Sequence, residues 1–253
     1  MTLRLHAMNC GWQTLPLGLL LAGEHGRIRV PTPSYLIQHP RGTVLFDSGL
    51  HVDCQTDPAG RLGEIARVFD FDYGPGDEVR ARLATFGVDP REVTFLVNSH
   101  LHFDHSGGND QIPNARLVVQ RPEWEAGHTP EGIAANYYQP HDYDLGHDIL
   151  LLDGEHDFFG DGSVVCVPTY GHTPGHQSLR VRTERGDVVL AADACYLRRT
   201  LEEMHLPGIV HDADAMRASL ERLRALQAAG ARIFFGHDPE FWATVPQAPA
   251  AIS

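Results

Sequence analysis

Residues 100–108 read HLHFDHSGG, with three histidines and an aspartate in six positions between an apolar run and two glycines. In an extended segment, His100 and His102 direct both imidazoles to one side, Asp104 continues the same phase, and His105 follows as the chain turns. One tetrahedral metal ion could not comfortably take all four groups from so short a segment; two adjacent ions could. Gly107 and Gly108 are expected to let the backbone turn tightly away.

Further ligands should stand at the ends of other strands. Short apolar runs bounded by Gly, Pro or Asp predict strands at 2–8, 34–39, 43–47, 94–99, 115–120, 148–153, 163–168, 178–183, 187–193 and 232–236. Helices are expected at 76–87 and 212–230, each closed by glycine. Many strands with a few helices between them predict an α/β fold with two sheets and helices outside. The turns DSGL, SHLHFDH, DACY and GHD all follow strands, where side chains are held rigidly yet face an open rim. His172 in GHTPGH, Asp193 in AAD and His237 in FFGHD are the best remaining ligand candidates. Five histidines and two aspartates without a cysteine suit zinc, manganese, iron or cobalt. A set free of thiolates also fits a catalytic site better than a closed structural one.

Composition narrows the partners. The net charge of −13 repels phosphate backbones and anionic lipid, so neither nucleic acid nor a membrane surface is expected. The most apolar N-terminal piece, LPLGLLLAG at 15–23, is too short to span a bilayer. Four scattered cysteines without a CxxC pair predict reduced thiols and a cytoplasmic protein. No low-complexity linker or repeat divides the chain, so residues 1–253 are expected to form a single domain.

HLHFDHSGG, GHTPGHQSL, DACY and FFGHD together resemble the metallo-β-lactamase fold superfamily, in the expected order over most of the chain. Among its branches the sequence looks most like the N-acyl-homoserine lactone lactonases, the quorum-quenching enzymes. The resemblance implies a four-layer αββα sandwich with a dinuclear metal site between the sheets. By that resemblance His100, His102 and His172 hold one ion, Asp104, His105 and His237 hold the other, and Asp193 bridges them; zinc is the first choice, with cobalt, manganese or iron as alternatives. Class B β-lactamases usually lack that aspartate and often use a cysteine ligand. Glyoxalase II thioesterases usually add a C-terminal helical domain, for which the sixteen residues after His237 leave no room.

Two divalent ions can share a hydroxide, because each lowers the pKa of bound water toward ~7. The expected reaction is attack of that hydroxide on an ester carbonyl, opening a lactone ring. Tyr196, three residues after Asp193, is the candidate donor to the oxyanion, since lactonases resembling this chain have a tyrosine at that spacing. Asp104 is the candidate proton shuttle to the leaving alkoxide. Asp47 in LFDSGL is expected to hydrogen-bond a ligand imidazole, and His176 to be a buried residue, structural or supporting a ligand, rather than a ligand itself.

Phe103, alternating with the ligands, and Phe69 and Phe71 in RVFDFDYG are expected at the substrate pocket. Gly208, by resemblance, would let the backbone approach an amide substrate. The 15–23 segment could cover an acyl chain, join the core or form a homodimer interface. The same metals would also serve a thioesterase, an arylesterase or an organophosphate hydrolase. An iron-based gas sensor needs a redox module, and none is visible.

Overall fold

Alternation along the strands generates four layers, as the computed structural model, which describes residues 3–252, shows. The first sheet has the spatial order β4 (Asp70–Asp72), β1 (Arg4–Pro16), β2 (Arg27–His39), β3 (Gly42–Phe46), β5 (Phe95–Val97), β6 (Arg116–Gln120) and β7 (Ile149–Leu152). The second runs β12 (Arg232–Phe234), β11 (Gly186–Leu190), β10 (Gln177–Thr183), β9 (Val164–Pro168) and β8 (His156–Asp157). Val44 and Phe46 of β3 join the interior cluster that contains Cys166, Leu179 and Val188 of the facing sheet. Leu45, one residue out of phase, packs the other way against Val79 and Leu83 of the helix Val79–Ala84. On the far side, Val189 and Ile233 receive Leu220 and Leu223 of the helix Ala213–Ala228. The expected αββα sandwich is therefore the fold.

The long helix forms where the sequence signals it. Asp212 accepts hydrogen bonds from the backbone N–H groups of Asp214 and Ala215, satisfying two otherwise orphaned donors. Its apolar stripe is buried, each large side chain contributing about 1.5–3 kcal/mol.

Several boundaries differ from expectation. The strand expected at 2–8 continues to Pro16 through a break in register between Asn9 and Trp12, and Thr2 lies outside the described residues. Gly11, at φ 105, makes the break possible. The strand expected at 34–39 starts at Arg27 and pairs antiparallel with β1 along its length. The expected 187–193 strand stops at Leu190, and Asp193 lies in the 3-10 turn Ala192–Ala194. Two short strands, β4 and β8, give no apolar run to find.

Parallel pairing decides where the functional turns meet. β3 and β5 run parallel with Phe46 opposite Val97, and β11 and β12 run parallel with Leu190 opposite Phe234. Each pair thus delivers two chain exits to one sheet end. Leu220→Ala should cost about 2–5 kcal/mol, because a fully buried side chain leaves a cavity. Exposed Glu221→Ala on the same helix should stay within about 0.5 kcal/mol, both read by chemical denaturation.

Candidate metal centre

Asp47 leaves β3 at φ 60 and is buried. Its Oδ1 accepts the backbone N–H of Ser99 at 2.7 Å, and its Oδ2 accepts from Ser99 Oγ at 2.8 Å and from His105 Nδ1 at 2.8 Å. The Ser99 hydroxyl proton is then committed to Asp47, so His100 Nδ1, 2.9 Å from that oxygen, donates to it. One carboxylate therefore orients two imidazoles, and the hydrogen bond expected of Asp47 is present.

His100 lies in a bend just past the end of β5 at Val97 rather than in the extended chain expected, and the helix Phe103–Ser106 begins directly after His102. Asp104 and His105 consequently reach the site from a helical turn rather than in phase with the strand. Gly107 and Gly108 also play a different part from the one expected. Their φ angles are −59° and −92°, open to any residue. Close approach demands them instead: a Cβ on Gly107 would stand 2.5 Å from His51 N, and one on Gly108 2.4 Å from Ser48 O.

Seven side chains converge in two groups, His100, His102, His172 with Asp193, and Asp104, His105 with His237. His100 Nε2 lies 2.9 Å from His102 Nδ1, which lies 3.1 Å from His172 Nε2. Asp193 stands between the groups. Its Oδ2 is 3.7 Å and 3.4 Å from the Nε2 atoms of His100 and His172, and its Oδ1 is 3.2 Å and 3.1 Å from those of His105 and His237.

The donor chemistry fits a cation. His102 Nε2 donates to Asn136 O at 2.8 Å and His237 Nδ1 to Pro31 O at 2.8 Å. With His100 and His105 also fastened outward, four rings in their neutral form present a lone pair to the centre. His105 Nε2 and Asp193 Oδ1 are buried, and neither finds a hydrogen-bond partner. These His and Asp groups imply a divalent metal.

Without a cation the charges settle otherwise. Burial would raise the Asp193 carboxyl, but the adjoining His105 and His237 outweigh it and hold it well below the usual carboxylate range. Burial would lower His105 and His237, but the surrounding carboxylates, Asp193 and Asp104 at both and Asp47 at His105, together outweigh it, raising His105 well above the ordinary imidazole value and His237 above it as well. Burial pushes His100 and His172 well down and lowers His102. His176 belongs to neither group. Its Nδ1 lies 2.9 Å from Thr169 Oγ1, and burial pushes it down to about 3.

A cavity of about 360 Å³ opens over this centre. The candidate ligands His102, Asp104, His172, Asp193 and His237 line its polar end, together with Tyr196. The Tyr196 hydroxyl is 3.2 Å from His172 Nδ1, and burial, then Asp193 and Asp104, raise its pKa well above the usual phenol value. Leu15, Leu19, Leu20, Val30 and Phe69 supply apolar wall, joined by Phe103. Phe71 stacks on Phe69 with centroids 6.1 Å apart, away from the lining. Gly208 does not line the cavity either: a Cβ there would meet Gly18 O at 2.3 Å, and its neighbour Ile209 faces the opening.

Two site residues escape the sequence reading. Glu123 is fully buried, its Oε1 accepting from Leu101 N at 3.0 Å and Tyr138 OH at 2.6 Å, its Oε2 from Gly175 N at 2.8 Å. It thereby ties the loop of His100 and His102 to the loop of His172. Gln13 Nε2 donates to Asp104 Oδ2 at 2.8 Å and fixes that carboxylate. Each is a lone polar residue in an ordinary amphipathic stretch, which offers no spacing signal.

A model of the Metallo-beta-lactamase superfamily matches residues 27–237, and the chain belongs to that superfamily. Within it, the chain is similar to N-acyl homoserine lactonase AttM of Azorhizobium caulinodans, 36% identical over 234 residues that span 90% of this chain and 89% of that protein. N-acyl homoserine lactonase AiiA of Bacillus thuringiensis subsp. kurstaki is 30% identical over 84% of this chain and 83% of its own. A solved N-acyl homoserine lactone hydrolase, with the product N-hexanoyl-L-homoserine bound at its catalytic metal centre, matches at TM-score 0.88 and 29% identity, covering 100% of both chains. An AiiA variant from B. thuringiensis with N-decanoyl-L-homoserine bound at its active site matches at TM-score 0.88 and 28% identity, again over 100% of both.

Because the neighbouring carboxylates favour the protonated forms of His105 and His237 in the metal-free protein, titrating it with zinc should release protons, and apparent affinity should rise with pH. Proton release measured in weakly buffered solution checks this. Glu123→Gln, which turns an acceptor into a donor facing donors, should weaken metal affinity about 10–100-fold in chelator competition.

Proposed function

We propose that this chain is a metal-dependent N-acyl homoserine lactonase, hydrolysing the ring ester to the open acyl homoserine. The carrying observation is that seven candidate ligand groups gather at one end of a largely apolar cavity, five of them lining it. The similarity to lactonases over about nine-tenths of the chain supports the substrate.

In this reading His100, His102 and His172 would hold one divalent ion and Asp104, His105 and His237 a second, with Asp193 serving both; zinc is the first choice, and cobalt, manganese and iron suit the same donors. Such ions supply Lewis acidity and a water acidified toward ~7. The protein's own side chains do the rest. Tyr196, kept neutral by its raised pKa, donates its hydroxyl proton in a hydrogen bond to the oxygen that gains charge when water adds to the ring carbonyl. Asp104, steadied by Gln13, carries a proton to the ring oxygen as the ester C–O bond breaks. Phe103 and Phe69 exclude water and hold the acyl part.

The same reading takes the chain as one catalytic domain, since both sheets supply the site, and places it in the cytoplasm. The four cysteines are free and buried, which fits a reducing compartment. Among the described residues no helix is long and apolar enough to cross a membrane. A homodimer draws no support from the 15–23 segment, because Leu15, Leu20 and Leu21 are buried within the chain.

Tyr196→Phe should lower kcat about 10²–10³-fold with metal content unchanged, the range for removing one oxyanion donor. Unchanged turnover at full metal loading would remove Tyr196 from the mechanism. Metal-replete protein that opens no N-acyl homoserine lactone in a proton-release assay would overturn the substrate assignment.

A further inference from the structure

Asp238 directly follows the last candidate ligand, His237, and is only 7% exposed. A carboxylate is rarely buried that far unless other groups answer it. Its Oδ1 accepts from Phe241 N at 2.8 Å, capping the helix Pro239–Trp242. That bond is local, and any good capping residue would make it. Its Oδ2 accepts from Arg198 N at 2.8 Å, across a separation of 40 residues in the chain.

The second bond completes a ladder. Past the turn of Asp193, Gly236 N donates to Cys195 O and His237 N to Tyr196 O, each at 2.9 Å. Pro239 then starts its helix, and the carboxylate of Asp238 supplies the next rung. Arg198 opens the helix Arg198–Glu202, whose N-cap position is held by Leu197, with no side-chain hydrogen bond to offer. One carboxylate thus caps two helices, and residues 195–198 are fastened at three places.

Tyr196 stands between those fastenings. Its ring stacks on that of His237 with centroids 5.7 Å apart, and its hydroxyl is 3.2 Å from His172 Nδ1. A catalytic group is useful only if its supporting contacts hold it to a fraction of an ångström, and a rigid phenol carries any shift of its backbone straight to its hydroxyl. His237 keeps a separate brace, its Nδ1 donating to Pro31 O at 2.8 Å. Asp238 lines no part of the cavity and belongs to neither ligand group.

We infer that Asp238 is a positioning residue for catalysis: by bonding Arg198 N it holds the Tyr196 hydroxyl where the ring-carbonyl oxygen gains charge. This rests on the oxyanion role given to Tyr196 above. Asp238 acts through Tyr196 and leaves the metal ligands as they are.

Asp238→Asn and Asp238→Ser isolate the bond, because both residues still cap the helix Pro239–Trp242. Serine is too short to reach Arg198 N as well. Asparagine, capping with its oxygen, turns its own N–H groups toward that N–H. In metal-replete protein each should lower kcat for an N-acyl homoserine lactone about tenfold to a hundredfold, the order expected for misplacing a catalytic group by up to about 1 Å. KM should change less than about twofold, since the weakened interaction belongs to the transition state. In a Tyr196→Phe background the same substitutions should cost less than about twofold, because the group they displace is gone. Zinc affinity in chelator competition should stay within about threefold of wild type, short of the loss expected when a ligand loses its own partner. Labelling with 3-fluorotyrosine gives a readout independent of turnover. Among the seven tyrosines, the fluorine signal that Tyr196→Phe deletes should be the one that Asp238→Asn shifts.

Substitutions as costly in the Tyr196→Phe background as alone would overturn the inference, and so would lost zinc or an unmoved Tyr196 signal. Full turnover of the Asp238 variants beside a crippled Tyr196→Phe would overturn it as well. Normal turnover in Tyr196→Phe, with the Tyr196 signal still shifted by Asp238→Asn, would uphold the tie to Tyr196 and sink the oxyanion role instead.

Discussion

The outward hydrogen bonds of the histidines are what the rest of the site depends on. An imidazole is a useful ligand only if its lone pair faces inward, and in a neutral ring that follows from where the other nitrogen sends its proton. Here the partners are main-chain carbonyls at Asn136 and Pro31 and the Asp47–Ser99 pair. These belong to the scaffold, so the tautomers are set by the fold itself. The cost of burying so many polar groups is offset on the outer side by these partners, while His105 Nε2 and Asp193 Oδ1 on the inner side have no hydrogen-bond partner.

That dependence explains why strands end where they do. β3 and β5 must run parallel and in register for Asp47 to reach Ser99. Gly107 and Gly108 must lack side chains for the ligand loop to lie on Ser48 and His51. The second sheet is locked to the first beside the site: Gln177 N donates to Ser99 O at 2.8 Å, and Gln177 Nε2 donates to Asn98 O at 2.9 Å. Glu123 adds a further tie between ligand loops. The cavity then needs only apolar walls, which β1, the short helix Leu17–Leu20 and the loop around Phe69 provide.

Much of this was legible in the sequence, for a physical reason. Strands leave compact apolar runs, and a metal site placed at their ends leaves several ionisable residues at fixed short spacing. HLHFDH carries both signals at once. Strand β1 was half seen because Gly11 and Gln13 interrupt its apolar pattern, although Gln13 is buried for a purpose. β4 reads DFD, an edge strand whose outer residues face water. Glu123 was illegible, since a buried carboxylate shows only through its three donors. Helical onset at Phe103 was missed because the histidine spacing suits an extended chain equally well.

The two sheets share custody of the centre, with His100 to His105 from one and His172, Asp193 and His237 from the other. Neither half alone offers all the donors of either ligand group. Occupancy and sheet docking are therefore thermodynamically linked, each tenfold rise in free metal above its dissociation constant adding about 1.4 kcal/mol per site to the folded state. The concentration of available metal becomes part of what keeps the halves together. Scarcity would be felt as lost stability in the fold as well as lost turnover.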